Sequence, residues 1–251
     1  MTGGPVVTIR IFPDLEALSR AAAEYVTALA QRVAAERGRF TVALSGGSTP
    51  TRLYTLLGSA PFREAIPWTA VHLFWADERC VAPDHDESNY RLVHDTFLAK
   101  APVPSANVHR IRGEEESGRA ARAYEEELRG FFGASGAPVF DLIILGAGED
   151  GHTASLFPGS PVLQEQRRIA APVHLERPKR DRVTLTFPVL NSAAHVLFLA
   201  AGRAKAAVLS EVFDRGNALH CPAGLVRPTT GELLWFVDQD ARTSAPACPS
   251  A

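Results

Sequence analysis

The stretch Phe140-Asp141-Leu142-Ile143-Ile144-Leu145-Gly146-Ala147-Gly148-Glu149-Asp150-Gly151-His152 decides the fold. Phe140 to Leu145 is the most apolar strand of the chain. A strand with one wet face alternates apolar and polar residues, whereas a parallel strand buried on both faces reads as a continuous run. The expectation is a central strand of a parallel sheet. The glycine-rich turn that follows lies where open α/β sheets bind their ligands, beyond the carboxyl end of a strand.

Outward from that strand, short apolar runs alternate with helical patterns. Val6 to Phe12 reads as a strand, and Asp14 as the N-cap of a long amphipathic helix ending before Gly38. Phe40 to Leu44 is a second strand, followed by Ser45-Gly46-Gly47-Ser48-Thr49-Pro50 and a helix through Leu57. Val71 to Trp75 is a third strand. Ser88 caps a helix reaching about Leu98, and Glu114 to Phe132 is a charged helix. Val183 to Phe187, Val196 to Ala200 and Leu233 to Val237 are later strands, and Ala204 to Phe213 is the last substantial helix. Such alternation implies an α/β fold, a mostly parallel sheet with helices on both faces. Residues 1–242 are expected to form one domain, and 243–251, in a stretch rich in Pro, Ala and Ser, a disordered tail.

The chain has 251 residues, 46% hydrophobic and 22% charged, a globular rather than a disordered composition. Lys+Arg 26 against Asp+Glu 28 leaves a net charge of −2, which argues against a dedicated nucleic-acid binder. No apolar run reaches the roughly 18 residues of a membrane helix; the longest, Ala193 to Ala201, is interrupted by His195. The N-terminus lacks the apolar stretch of a secretory signal. Cys80, Cys221 and Cys248 are far apart, show no metal spacing and leave one unpaired in any disulfide scheme. A reducing, cytoplasmic setting is the simplest expectation, with a soluble monomer as the default.

Three motifs follow strand ends. In Ser45-Gly46-Gly47-Ser48-Thr49-Pro50, two glycines let backbone N–H groups approach an anion. Thr49 is expected to cap the next helix, with Pro50 in its first turn. A helix N-terminus opened this way is a phosphate site, although the lysine of a Walker A loop is missing; the alternative is an ordinary tight turn. Asp77-Glu78-Arg79 leaves an apolar strand with two carboxylates and a guanidinium that suit sugar hydroxyls, a proton or an anion. Its alternative is a solvated turn with an internal ion pair. The acidic Asp84-His85-Asp86-Glu87 downstream reads as a solvated loop rather than a metal site.

The third motif, Gly146 to Gly151, contains Gly-x-Gly-x-x-Gly, yet a dinucleotide site is rejected. Glu149 and Asp150 put negative charge where a pyrophosphate must lie, and Pro158 and Pro161 stop any long helix. Gly146, Gly148 and Gly151 instead let the backbone approach a small substrate and present Asp150 beside His152. Histidine is the usual general base at neutral pH, and a carboxylate fixes its tautomer. Arg182, at the start of the Val183 strand, and Lys205, at the start of a helix, add two cations. Lys205 is one of three lysines, and at a helix start it opposes the dipole unless an anion binds there.

These segments resemble the 6-phosphogluconolactonase family, of the larger superfamily that includes glucosamine-6-phosphate deaminase. Leu44 to Pro50, Phe74 to Val81 with Ser88-Asn89-Tyr90, Leu145 to Gly159, Arg182 to Thr186, Gly202 to Ala206, Pro222 to Val226 and Leu234 to Asp238 carry the likeness across nearly the whole chain. It implies a Rossmann-like doubly wound fold and hydrolysis of 6-phospho-D-glucono-1,5-lactone, the second step of the oxidative pentose phosphate pathway. It also implies no required cofactor or metal. The chemistry read from the residues agrees. There is no Gly-x-Ser-x-Gly elbow and no obvious reactive cysteine, so water attacks directly. His152 is the expected base, oriented by Asp150. Arg79 or backbone N–H groups of residues 146–151 would hold the oxyanion. Ser45, Gly46, Gly47, Ser48, Thr49, Arg182 and Lys205 would hold the phosphate end, and Asp77 and Asn89 would read hydroxyls. A deaminase continues after Asp-Gly-His into Ile-Ala-Phe-Asn-Glu-Pro; Thr153 to Pro158 here supplies no acid. A phosphosugar-sensing regulator would need a DNA-binding module, and no spare basic segment exists for one.

Overall fold

Seven parallel strands carry the core, and the run around Ile143 is their centre. The computed structural model describes residues 6–133, 136–176, 179–213 and 221–242; the tail expected at 243–251, with Cys248, lies outside the described residues. In chain order the elements are β1 (Val6–Phe12), α1 (Leu15–Arg37), β2 (Phe40–Leu44), α2 (Ser48–Leu57), α3 (Phe62–Ala65), β3 (Val71–Trp75), β4 (Asp77–Arg79), α4 (Asn89–Val93), β5 (Val108–His109), α5 (Ser117–Phe132), β6 (Leu142–Gly146), β7 (Ala170–Glu176), β8 (Lys179–Leu185), α6 (Phe187–Leu190), β9 (His195–Ala200), α7 (Ala206–Phe213), α8 (Pro222–Leu225), β10 (Glu232–Asp238) and α9 (Gln239–Arg242). The large sheet has the order β1-β10-β9-β6-β2-β3-β5, and all its pairings are parallel.

β6 is the middle strand, and Leu142, Ile143, Ile144 and Leu145 are fully buried. Adjacent residues of a strand face opposite sides, and both sides of β10 are covered. Phe236 meets Tyr25 of α1, while Trp235 stacks on Phe198 and meets Phe213 of α7. From β2 the chain winds through β3 to β5. It then returns to β6 on the other side of β2 and winds outward through β9. The order therefore reverses between β2 and β6, and the loops leaving those strands diverge, which opens a crevice there. Among the described residues no helix is long and apolar enough to cross a membrane.

Several boundaries differ from expectation for local reasons. Pairing in the central run starts at Leu142. Asp141 instead braces β2 against β6, accepting from Thr41 N and Oγ1, both at 2.8 Å, and from Arg37 at 3.0 Å. The helix expected from Glu114 starts at Ser117, because Glu116 caps it by accepting from Gly118 and Arg119 N–H. The 183–187 strand is β8, running Lys179–Leu185, with Pro188 in the first turn of α6. Ser88 caps α4 as expected, but the helix widens to a π-turn over His94–Leu98. Strands β4, β5 and β7 were not foreseen. β4 and β7 flank β8 in a small antiparallel sheet, β4-β8-β7, standing beside the crevice.

Candidate active site

The crevice gathers residues from both sheets. Ser45, Gly46, Gly47, Ser48, Thr49, Asp77, Arg79, Asn89, Gly146, Gly148, His152, Arg182 and Lys205 all line one cleft, together with Pro50, Ala147, Ala154 and Leu199. Asp150 and Gly151 are not among the lining residues; Asp150 reaches the cleft through His152, to which it is hydrogen-bonded.

The turn after β2 presents backbone. Gly47, not Thr49, is the N-cap of α2, with φ 111°, and no side chain caps the helix. Thr49 already lies inside the first turn, so its hydroxyl cannot serve as the cap. First-turn N–H groups that no side chain satisfies face the cleft together with the positive end of the helix dipole, a ready anion site. Tyr54 Oη pins the turn by donating to Ser45 O at 2.8 Å. The Ser45 hydroxyl is buried with no partner among the described residues. Gly46 must lack a side chain, because a Cβ there would overlap the Asn89 amide.

The turn after β6 is closed on itself. Gly148 N–H donates to His152 O at 2.7 Å, and Gly151 N–H to Gly148 O at 3.1 Å. These two donors are therefore not free for an oxyanion, which narrows the expected backbone donors of residues 146–151 to the remaining N–H groups of the turn. No helix follows the turn; the next helical element is a single 3-10 turn at Pro161–Gln164, so the dinucleotide reading fails structurally as well. What the turn offers is a side-chain pair. His152 Nδ1 lies 2.5 Å from Asp150 Oδ1, and His152 N–H reaches the same oxygen at 3.2 Å. Gly148 makes room for the pair, since a Cβ there would overlap His152 Nδ1 and Asp150 Oδ1. Burial alone would raise the Asp150 carboxyl. The hydrogen bond and charge of His152 and the backbone N–H groups outweigh it and hold the group below its ordinary range. Gly151, at φ 86°, packs on Cys221, and its carbonyl accepts from Ala223 N–H at 3.0 Å.

The small sheet supplies the cations. In the β4–β8 register Arg79 stands opposite Arg182, and Asp77 opposite Thr184. Like charges placed opposite each other are unfavourable, and an anion between them removes the penalty. Nε of Arg79 and Nε of Arg182 are both buried without a partner among the described residues. Arg79 Nη1 donates to Glu87 O at 2.6 Å. Burial pushes the Arg182 pKa down while Asp77 pulls it up. The Phe157 ring ties the two parts of the cleft, lying 4.5 Å from the His152 ring and 5.3 Å from the Arg182 guanidinium carbon.

Two carboxylates of β4 face inward. Asp77 is almost fully buried and accepts from Ser155 Oγ at 2.6 Å and from Asn89 Nδ2 at 3.1 Å, with Arg182 Nη1 at 3.9 Å. Asn89 Nδ2 also donates to Asp77 O at 2.8 Å, so the Asn89 amide donors are directed at Asp77. Glu78 accepts from Arg79, Asn89 and Tyr90 N–H and from Ser88 Oγ. Burial pushes the Glu78 carboxyl above its usual range, against the pull of those donors. The sequence offers Glu78 as a carboxylate for hydroxyls or a proton but assigns Ser155 no role. The partners of Glu78 on Ser88, Asn89 and Tyr90 lie 10 to 12 residues away and that of Ser155 lies 78 away, which no local pattern reveals. Among the described residues no three His, Cys, Asp or Glu side chains converge on a metal position.

Residues 13–235 match the family described as glucosamine-6-phosphate isomerases/6-phosphogluconolactonase. The chain belongs to this family. It is 43% identical over 242 residues to a Homo sapiens 6-phosphogluconolactonase, covering 93% of this chain and 92% of that one. A Synechocystis 6-phosphogluconolactonase is 41% identical over 220 residues, with 86% and 89% covered. The crystal structure of the Thermotoga maritima 6-phosphogluconolactonase superposes with a TM-score of 0.80 at 33% identity, covering 93% of this chain and all of that one.

Proposed function

We propose that the chain hydrolyses 6-phospho-D-glucono-1,5-lactone to 6-phosphogluconate, with His152 activating the water. The observation that carries the mechanism is the His152–Asp150 pair at the rim of the cleft. An ionised carboxylate only accepts, so Nδ1 carries the proton and Nε2 is left with its lone pair. Nε2 takes a proton from water as the water oxygen bonds to the lactone carbonyl carbon. The carbonyl oxygen becomes an oxyanion, held by Arg79 or by the N–H groups of the 146–151 turn that Gly148 and Gly151 do not supply. Collapse breaks the bond from that carbon to the ring oxygen, and the imidazolium returns its proton to the leaving alkoxide.

The first turn of α2, Arg182 and Lys205 hold the phosphate, which anchors the ring by a group remote from the reacting carbon. Asp77 takes no proton in this scheme. Its oxygens accept from Ser155 and Asn89, so it acts as a brace. A thiol nucleophile is disfavoured, since burial pushes the Cys80 thiol up to about 11 and raises Cys221 too. The deaminase alternative lacks an acid after His152, because the hydroxyls of Thr153 and Ser155 bond to Gly146 O and Asp77.

Residues 1–242 act as one catalytic domain in this reading, and a monomer suffices, since one chain lines the whole cleft. The free thiols of Cys80 and Cys221 suit a cytoplasmic setting. The test is acid release from fresh phosphorylated lactone, with the spontaneous rate subtracted. Turnover above that rate, lost in His152→Ala, is expected; ammonia release from glucosamine 6-phosphate, or binding without turnover, would replace this reading.

A further inference from the structure

Ser155 joins two parts of the cleft that arrive from different sheets. It follows His152 by three residues, yet both of its polar donors point into the small sheet. Its Oγ donates to Asp77 Oδ2 at 2.6 Å, and its N–H donates to Thr184 Oγ1 at 3.2 Å. Asp77 and Thr184 are partners in the β4–β8 register, so one serine bonds both members of a cross-strand pair. The residue is fully buried. The backbone is bent to bring it there: Ala154 has φ 47°, a left-handed conformation that L side chains rarely adopt. Thr153 and Leu156 close the bend with a reciprocal pair of backbone hydrogen bonds at 3.3 and 2.9 Å.

The oxygen that Ser155 occupies is the one Arg182 approaches. Asp77 Oδ2 lies 3.9 Å from Arg182 Nη1, too far for a hydrogen bond, although the two charges are opposite and mostly buried. A buried carboxylate and guanidinium with nothing between them close into a short, charge-assisted pair. The hydroxyl of Ser155 already donates to that oxygen at 2.6 Å and competes with the guanidinium for it.

We propose that Ser155 is a positioning residue that keeps Arg182 available to an anion by occupying the Asp77 oxygen that would otherwise capture it. Ser155 touches no substrate; it acts through Asp77 on the guanidinium. This rests on the reading of Arg182 as a contact to the substrate phosphate. In Ser155→Ala, Asp77 Oδ2 loses its donor, and Arg182 moves onto it and away from the cleft.

The experiment compares wild type, Ser155→Ala and Ser155→Cys on the phosphorylated and unphosphorylated lactones. A crystal structure of Ser155→Ala is solved alongside. Losing one charge-assisted contact raises KM for the phosphorylated lactone by about 10-fold in Ser155→Ala. The kcat stays near wild type, the unphosphorylated lactone is unaffected, and Arg182 sits within hydrogen-bond distance of Asp77. Ser155→Cys, with a weaker donor, falls between, and it carries the test if the alanine variant does not fold. An unchanged KM, or equal losses on both lactones, overturns the proposal. So does an Arg182 that stays near 3.9 Å. The structural readout needs no turnover, so it still decides the question if the lactone proves not to be the substrate.

Discussion

The turns after β2 and β6 are both rich in glycine and lie side by side at the reversal of strand order, yet they use their backbone in opposite ways. The 45–50 turn leaves its N–H groups without a side-chain cap, so it offers backbone. The 146–152 turn consumes N–H groups in its own hydrogen bonds and offers an imidazole. Glycine does different work in each. Gly47 supplies a positive φ that opens a helix, whereas Gly148 leaves a space that Asp150 and His152 fill. The lesson is that a glycine-rich strand exit does not specify an anion site; the fate of its N–H groups does.

The sharpest way to break this comparison is His152→Ala. A positioned base contributes about 10²–10⁴-fold, so kcat should fall by that order while product affinity, measured by calorimetry, stays close to wild type. Retention of near-normal kcat would remove the imidazole from the chemistry and leave both turns as binding elements. Gly148→Ala comes next, with a loss of about 100-fold in kcat, since an added Cβ displaces the ring by an ångström or more. KM should hardly move, because the 45–50 turn is untouched.

Arg182→Ala and Lys205→Ala address the binding half. Each should lower kcat/KM on the phosphorylated lactone by about 10- to 100-fold and barely alter the slower reaction of the unphosphorylated one. Equal effects on the two substrates would detach that residue from the phosphate. The smallest expected effect concerns Asp150. Its carboxyl is held below the ordinary range in the folded protein, so its contribution to stability is present above the unfolded value, near 3.9. That contribution disappears as pH falls through the lower folded value. The pair is solvent-screened, which keeps it under about 1 kcal/mol. Urea unfolding of wild type and Asp150→Asn should differ slightly at pH 6 and converge at low pH.

The large sheet was legible apart from the two-residue β5, because its other strands are rich in apolar residues and the intervening helices carry clear caps at Asp14 and Ser88. The small sheet was not. β4 is three charged residues, and β7 contains Pro172 and a histidine, so neither has a strand's usual signature. That omission matters for the site, because the opposition of Arg79 and Arg182 exists only in the β4–β8 register. His152 and Asp150 were readable as neighbours in sequence. For Asp77 the sequence leaves sugar hydroxyls and a proton both open, and it does not show that the two carboxylate oxygens accept from Ser155 and Asn89, which come from two other segments. Contacts across such spans are set by tertiary packing, which no local pattern encodes.

Among the described residues β1 pairs with β10 alone, Val6 aligned with Glu232 and Phe12 with Asp238. The two strands lie far apart in the chain, so β10 is made long after β1. At about 5–20 residues per second, synthesis of the intervening chain takes roughly 10 to 45 s. Through that interval the strand carrying Val7, Ile9 and Ile11, which remain exposed even in the finished sheet, has no pairing strand. Arg10, in the middle of the strand, discourages pairing with other chains meanwhile. This edge of the sheet thus closes only once β10 has been made, and a chain cut short before β10 would leave β1 without its pairing strand however well the rest had folded.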